Sequence, residues 1–155
     1  FLDDASYKTK EIALINLCKN FPEDKENYLF QIRRLKGNND KSLRMTWLKL
    51  AYDAPEFETQ RIDFYLELLH YTSVEYESSI RQNALEALLS IDFMSQKVIR
   101  QLFLATTHHK WQFTKFSRDK IRELLKKPEF RSRVEELSKT ADEDMKALYE
   151  KFLKE

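Results

Sequence analysis

Ile80-Arg81-Gln82-Asn83-Ala84-Leu85-Glu86-Ala87-Leu88 sets its apolar residues three and four positions apart, the spacing at which side chains share one face of an α-helix. Ala84 and Ala87 are small enough to let a second helix approach that face closely. The segment has two counterparts. Arg44, Arg81 and Arg118 lie 37 residues apart, and at that offset Trp47 matches Ala84 and Ile121. Leu50 likewise matches Ala87 and Leu124, and Ala51 matches Leu88 and Leu125. The helices ahead of them keep the period, with Tyr28, Tyr65 and Leu102 in one column and Leu29, Leu66 and Phe103 in the next. Self-similarity at such a period is the mark of stacked supersecondary units. The expected fold is all-α: helix pairs over about 23–53, 60–90 and 97–127, stacked as a solenoid, with capping helices at both ends. An Arg at a helix start opposes the macrodipole. Each is therefore expected to meet a carboxylate or carbonyl of the next repeat.

Outward from that stretch, apolar stripes at helical spacing run through almost the whole chain. The first is Leu14, Leu17, Cys18 and Phe21, closed by Pro22. Tyr28, Leu29, Ile32 and Leu35 follow, ended by Gly37 with Asn38 and Asn39. A helix starting near Asp40 or Ser42 carries Leu43, Trp47, Leu50 and Ala51 and stops before Pro55. Ile62, Tyr65, Leu66 and Leu69 form the next stripe, broken at Thr72 and Ser73. Then come Ile80 to Ile91, Val98 to Ala105, and, after His108 and His109, Ser117, Ile121, Leu124 and Leu125. Pro128 suits the first turn of a further helix, which carries Phe130, Val134 and Leu137. Met145, Leu148 and Phe152 complete about nine helices, and the short loops imply antiparallel neighbours.

Composition agrees. The 155 residues fit one domain, and 42% hydrophobic content with 11 Phe, 7 Tyr and 2 Trp supplies a core. One Gly and three Pro are too few for a sheet protein with its frequent turns. The net charge of +1 sets up no global field for nucleic acid or membrane. No apolar run approaches the ~20 residues of a membrane span, so a soluble domain is expected. The chain opens at Phe1 rather than Met and reads as the C-terminal piece of something longer.

A search for chemistry returns little. H-E-x-x-H, which puts two zinc ligands on one helical face, is missing. A lone Gly37 cannot build a phosphate-cradling loop. Cys18 sits beside Leu17 and Phe21 on an apolar face and reads as core. Adjacent His108 and His109 cannot aim at one point from a regular helix, and they suit a helix end or loop. His70 likewise suits a helix end. Glu135–Glu136 and Asp142–Glu143 read as solvated faces. No catalytic residue, metal ligand or cofactor site is expected in this chain. From Lys110 to Arg133, nine Lys or Arg meet only Asp119, Glu123 and Glu129, with Trp111, Phe113 and Phe116 interleaved. The simpler reading is that the aromatics are core and the charges surround a solvated helix. The alternatives are nucleic acid, with the aromatics stacking on bases and the cations tracking phosphates, or recognition of a carboxylate or acidic partner.

The repeat, Arg-x-x-apolar-x-x-apolar-apolar at the opening of each second helix, resembles HEAT repeats, whose second helix often begins Val-Arg-x-x-Ala. Ser42-Leu43-Arg44-Met45-Thr46-Trp47-Leu48-Lys49-Leu50 in turn looks like a helix in the C-terminal domain of zinc aminopeptidases of the aminopeptidase N family. The subgroup is that of leukotriene hydrolase and aminopeptidase B. Lys110-Trp111-Gln112-Phe113-Thr114-Lys115 is similar to that subgroup's Arg-Met-Lys-Phe-Thr/Val-Arg segment, about one repeat further along the chain here. Asn20-Phe21-Pro22-Glu23-Asp24-Lys25 resembles bacterial members of the wider family. The resemblance covers about residues 7 to 127.

What the resemblance implies is an accessory role. In the family a separate domain holds the zinc and cleaves the peptide, while the helical domain closes over the site and limits substrate length. Its expected partners are the catalytic domain of the same parent polypeptide and, through it, the peptide substrate. Lys110 stands where the subgroup has the Arg that helps hold the substrate carboxylate, and is the one candidate substrate-binding residue. Gln112 stands where the subgroup has Lys, so the second charge is missing. The alternative is a helical-repeat scaffold binding another protein through its concave face, with a HEAT-like nucleic-acid binder the least favoured. No membrane partner is expected.

Overall fold

The computed structural model describes residue 2, residues 6–33 and residues 41–155. Among them run nine α-helices and no strand, as the periodicity requires. They are α1 (Tyr7–Asn20), α2 (Lys25–Arg33), α3 (Lys41–Tyr52), α4 (Arg61–His70), α5 (Ser78–Ile91), α6 (Gln96–Ala105), α7 (Trp111–Leu125), α8 (Pro128–Thr140) and α9 (Glu143–Leu153). Short 3-10 turns at Pro22–Asp24 and Pro55–Gln60 each open on a proline, whose fixed φ suits a first helical turn. Pro128 opens α8 in the same way. The expected stop at Gly37 and the start at Asp40 lie outside the described residues. No helix among the described residues is long and apolar enough to cross a membrane.

Two compact units divide the chain, Phe1–His70 and Tyr71–Glu155. Each has a core of its own. In the first, α3 packs on α1, α2 and α4. Trp47 is 2% exposed at its centre, meeting Phe57 and Phe64 edge-on at 5.5 and 5.3 Å between ring centroids, the geometry the ring quadrupoles favour. Its indole N–H donates to the Leu29 carbonyl at 2.8 Å, so burying this large ring leaves no polar atom unmatched. Glu11 is also buried, and its carboxylate accepts from Ser42 at 3.0 Å, Thr46 at 2.8 Å and Lys8 at 3.3 Å. That cluster ties α1 to α3.

In the second unit, α6 packs on α5, α7 and α9, and α8 turns back on α9 through Ala141 and Asp142. The Asp142 carboxylate caps α9 by accepting from the Met145 N–H at 2.9 Å. Phe103 lies against Tyr149 and Phe152 at 4.8 and 5.5 Å, all three buried. Leu102, Phe130, Val134 and Ile121 fill the rest.

The 37-residue columns fare unevenly. Trp47, Ala84 and Ile121 are buried, and so are Ala51, Leu88 and Leu125. Arg44 and Arg81 are each the fourth residue of their helix, whereas α7 begins one turn early and leaves Arg118 exposed at its eighth. The acceptors expected for these arginines are present for two. Arg44 forks onto the Glu67 carboxylate of α4, both bonds 2.8 Å. Arg81 donates to the Thr72 carbonyl at 3.0 Å, in the connection before its own helix rather than in a later repeat. The expected face of α4 is rotated. Ile62 and Leu66 are exposed, 74% and 49%, while Phe64 and Leu68 enter the core. The sequence Arg61-Ile62-Asp63-Phe64-Tyr65-Leu66-Glu67-Leu68-Leu69 offers two apolar stripes, and packing against Trp47 selects the one holding Phe64.

Candidate functional site

Lys110 ends the connection between α6 and α7 in extended backbone conformation, φ −80° and ψ 113°. The connection is fixed from both sides. Thr106 and Thr107 hydroxyls donate to the Phe103 and Leu104 carbonyls at the end of α6. The Thr114 hydroxyl donates back to the His108 carbonyl at 2.7 Å, and the Lys110 N–H donates to His108 Nδ1 at 3.1 Å. The His108 and His109 rings stack at 4.3 Å between centroids, and His108 also meets the edge of Phe113 at 5.3 Å. Both imidazoles thus serve the loop. Burial lowers the His108 pKa, helped by the neighbouring His109, Arg81 and Lys110.

Lys110 opens onto a cleft of about 340 Å³ within the second unit, lined by Ser78, Ser79 and Gln82 of α5 and by His109 through Phe113. Lys110 and Gln112 therefore share one cleft. The two walls are the first turns of α5 and α7. Neither helix has a side-chain cap at its start, so both aim free first-turn N–H groups outward. No Asp or Glu lines the cavity. Glu77 precedes Ser78 in the chain but does not line the cleft. Among the described residues the Lys110 ammonium has no ion-pair partner, and Ser78, Ser79, Gln82 and Gln112 make no side-chain hydrogen bond within the protein. Arg81, 6% exposed, lays its guanidinium over the Phe113 ring at 5.2 Å, and burial lowers its pKa. An acid-free cavity with one lysine, two hydroxyls, two amides and two helix starts is equipped to receive an anion.

Ser78, Ser79 and Gln82 were invisible as site residues in the sequence. Nothing local distinguishes a serine that starts a helix from one that lines a cleft, and only the packing of α5 on α7 brings them to Lys110.

Of the other eight basic residues between 110 and 133, four have an acidic partner, and Arg118, Lys126 and Lys127 stand exposed. Lys115 pairs with Asp119, Lys120 with Glu123 and Arg122 with Glu155. Arg133 pairs with Glu136 and also reaches the Met94 carbonyl, while Arg131 donates to the Leu153 carbonyl. Phe113 is 1% exposed, so it presents no ring to a base. Single-stranded nucleic acid needs a cationic track with exposed rings; on α7 Phe113 is buried and Trp111 is 68% exposed. Cys18 is buried and its thiol pKa is raised by that burial, which suits packing rather than nucleophilic chemistry. Among the described residues no group of three or more His, Cys, Asp or Glu could hold a metal ion.

Compared with protein-family models, curated proteins and solved structures, the chain matches none.

Proposed function

We propose that this chain is a non-catalytic helical recognition domain whose Lys110 cleft receives a carboxylate. In its fullest form the reading is that of the accessory domain of a zinc aminopeptidase, covering the active site of a separate catalytic domain and limiting which peptides enter. One observation carries it: Lys110, singled out by resemblance, lines one acid-free cleft with Gln112, Ser78, Ser79 and Gln82. Gln112 in place of a second cation weakens the charge but keeps a donor, and the α5 side chains supply further neutral donors. A carboxylate would take the Lys110 ammonium as its ionic partner and hydroxyl, amide or backbone N–H groups for its remaining lone pairs.

The direct test is equilibrium binding of a short peptide as free acid and as amide. The acid should bind more tightly, and Lys110→Ala should remove most of that difference. Acid and amide binding alike to the wild-type chain would end the carboxylate reading. Ile62 and Leu66, lying exposed on α4, favour a second reading, a scaffold that binds another protein through helix faces. Ile62→Glu with Leu66→Glu would then abolish binding of that protein and leave the peptide-acid preference untouched.

A further inference from the structure

We infer that Trp111 is a platform for a planar side chain next to the bound carboxylate, so that the cleft selects peptides ending in an aromatic residue. The inference rests on the carboxylate reading of the cleft and adds to it the class of residue recognised. The chain has two tryptophans, and they differ sharply. Trp47 is 2% exposed and Trp111 is 68% exposed. Trp111 is the first residue of α7, lines the cleft beside Lys110, and among the described residues has neither a ring packed on it nor a partner for its indole N–H. Leaving so much apolar area in water costs free energy. Nothing in the helix requires an indole there, because Phe113 two residues on already anchors α7 to the core.

The geometry confines the choice of ligand. Lys110 and Trp111 are consecutive and line the same cleft of about 340 Å³, so one small ligand can meet both. A carboxylate and a ring carried on one terminal amino acid are the pair of groups that such a ligand would present to them. The volume of about 340 Å³ lies at the lower end of the roughly 300–1,000 Å³ usual for small-ligand sites, which favours a terminal residue over a long segment. An exposed tryptophan beside a cation and a ring of donors is the composition found where binding energy concentrates.

The experiment titrates the full chain with N-acetyl-phenylalanine, N-acetyl-leucine and the amide of each, for wild type, Trp111→Ala and Lys110→Ala. Leucine has similar apolar bulk and no ring, so the ratio isolates stacking. Phenylalanine acid should bind about three- to tenfold more tightly than leucine acid, the range expected of an aromatic contact beyond its buried area. That ratio should fall to about one in Trp111→Ala, while the preference for acid over amide survives there and is lost in Lys110→Ala. Intrinsic fluorescence supplies an independent signature. Trp47 is shielded, so protection of an indole from acrylamide on adding the ligand reports Trp111. Equal binding of the phenylalanine and leucine acids to wild type, or a ratio that persists in Trp111→Ala, overturns the inference. A ring preference shared by acids and amides keeps the platform and removes the carboxylate reading. Failure of every compound to bind overturns both.

Discussion

Trp47 concentrates several stabilising contacts in one side chain. It buries its full ring, stacks edge-on to Phe57 and Phe64, receives the Arg44 guanidinium over its face at 4.9 Å and donates to Leu29. Trp47→Ala should therefore destabilise the first unit by about 3–5 kcal/mol, measured by denaturant unfolding. A loss under about 1 kcal/mol would match a surface substitution instead. The burial was legible in the stripe of Leu43, Trp47, Leu50 and Ala51. The bond to Leu29 was not, because it joins two helices across a sequence gap that periodicity does not describe. His108 carries a second residue-scale consequence. Its Nδ1 must be unprotonated to accept the Lys110 N–H, and its pKa is lowered in the fold, first by burial and then by its neighbours His109, Arg81 and Lys110. The sign follows from linkage. The unfolded chain binds the proton more readily, so His108 contributes stability above its unfolded pKa of about 6.5 and loses it as pH falls through the lower folded value. Stability should decline on acidification below about pH 6.5, and His108→Gln should flatten that part of the profile. An unchanged profile in the variant would place the titration elsewhere.

At the scale of elements, the helices were legible and their orientations only in part. A period of 3–4 residues identifies a helix whatever it packs against, and α1 through α9 follow from it. Which face turns inward is equally legible where one stripe is apolar and the rest polar, as in α8 with Phe130, Val134 and Leu137. In α4 six of ten residues are apolar or aromatic, so the sequence permits two faces and the partner helix decides. The correction has a direct test. Leu68→Ala should cost about 2–5 kcal/mol, and Ile62→Ala should stay within about 0.5 kcal/mol, which reverses the order implied by the stripe of Ile62, Tyr65, Leu66 and Leu69. The Arg44–Glu67 fork that fastens α3 to α4 is about a quarter exposed at both ends. Its bidentate geometry sets it above an ordinary surface pair, and Arg44→Lys should still weaken the unit because a lysine cannot reproduce the fork.

For the molecule as a whole, the cleft is the feature least legible in the sequence. Resemblance pointed to Lys110, but its company of Ser78, Ser79 and Gln82 comes from a tertiary contact between α5 and α7. Trp111 was masked by its neighbours, since in a run shared with Phe113 and Phe116 a core role was the simpler reading. The aminopeptidase proposal makes its strongest demand at this scale. Under it, the isolated chain should neither bind zinc tightly nor release amino acids from aminoacyl substrates, because the ligands and general base belong to another domain. Its effect should appear in the parent enzyme as a term in substrate binding. Lys110→Ala there should raise KM for short peptide acids by roughly five- to thirtyfold, corresponding to about 1–2 kcal/mol for a charged hydrogen bond in a partly wet cleft. The same peptides as amides should change little, since they carry no charge for Lys110 to meet. A rise in KM with kcat steady would mean that Lys110 holds substrate and transition state alike. Equal changes for acid and amide would instead return Lys110 to the helix surface. Robust aminopeptidase activity from these 155 residues alone would defeat the accessory-domain proposal outright, because hydrolysis would then have to arise from residues that form no metal or nucleophile site among those described.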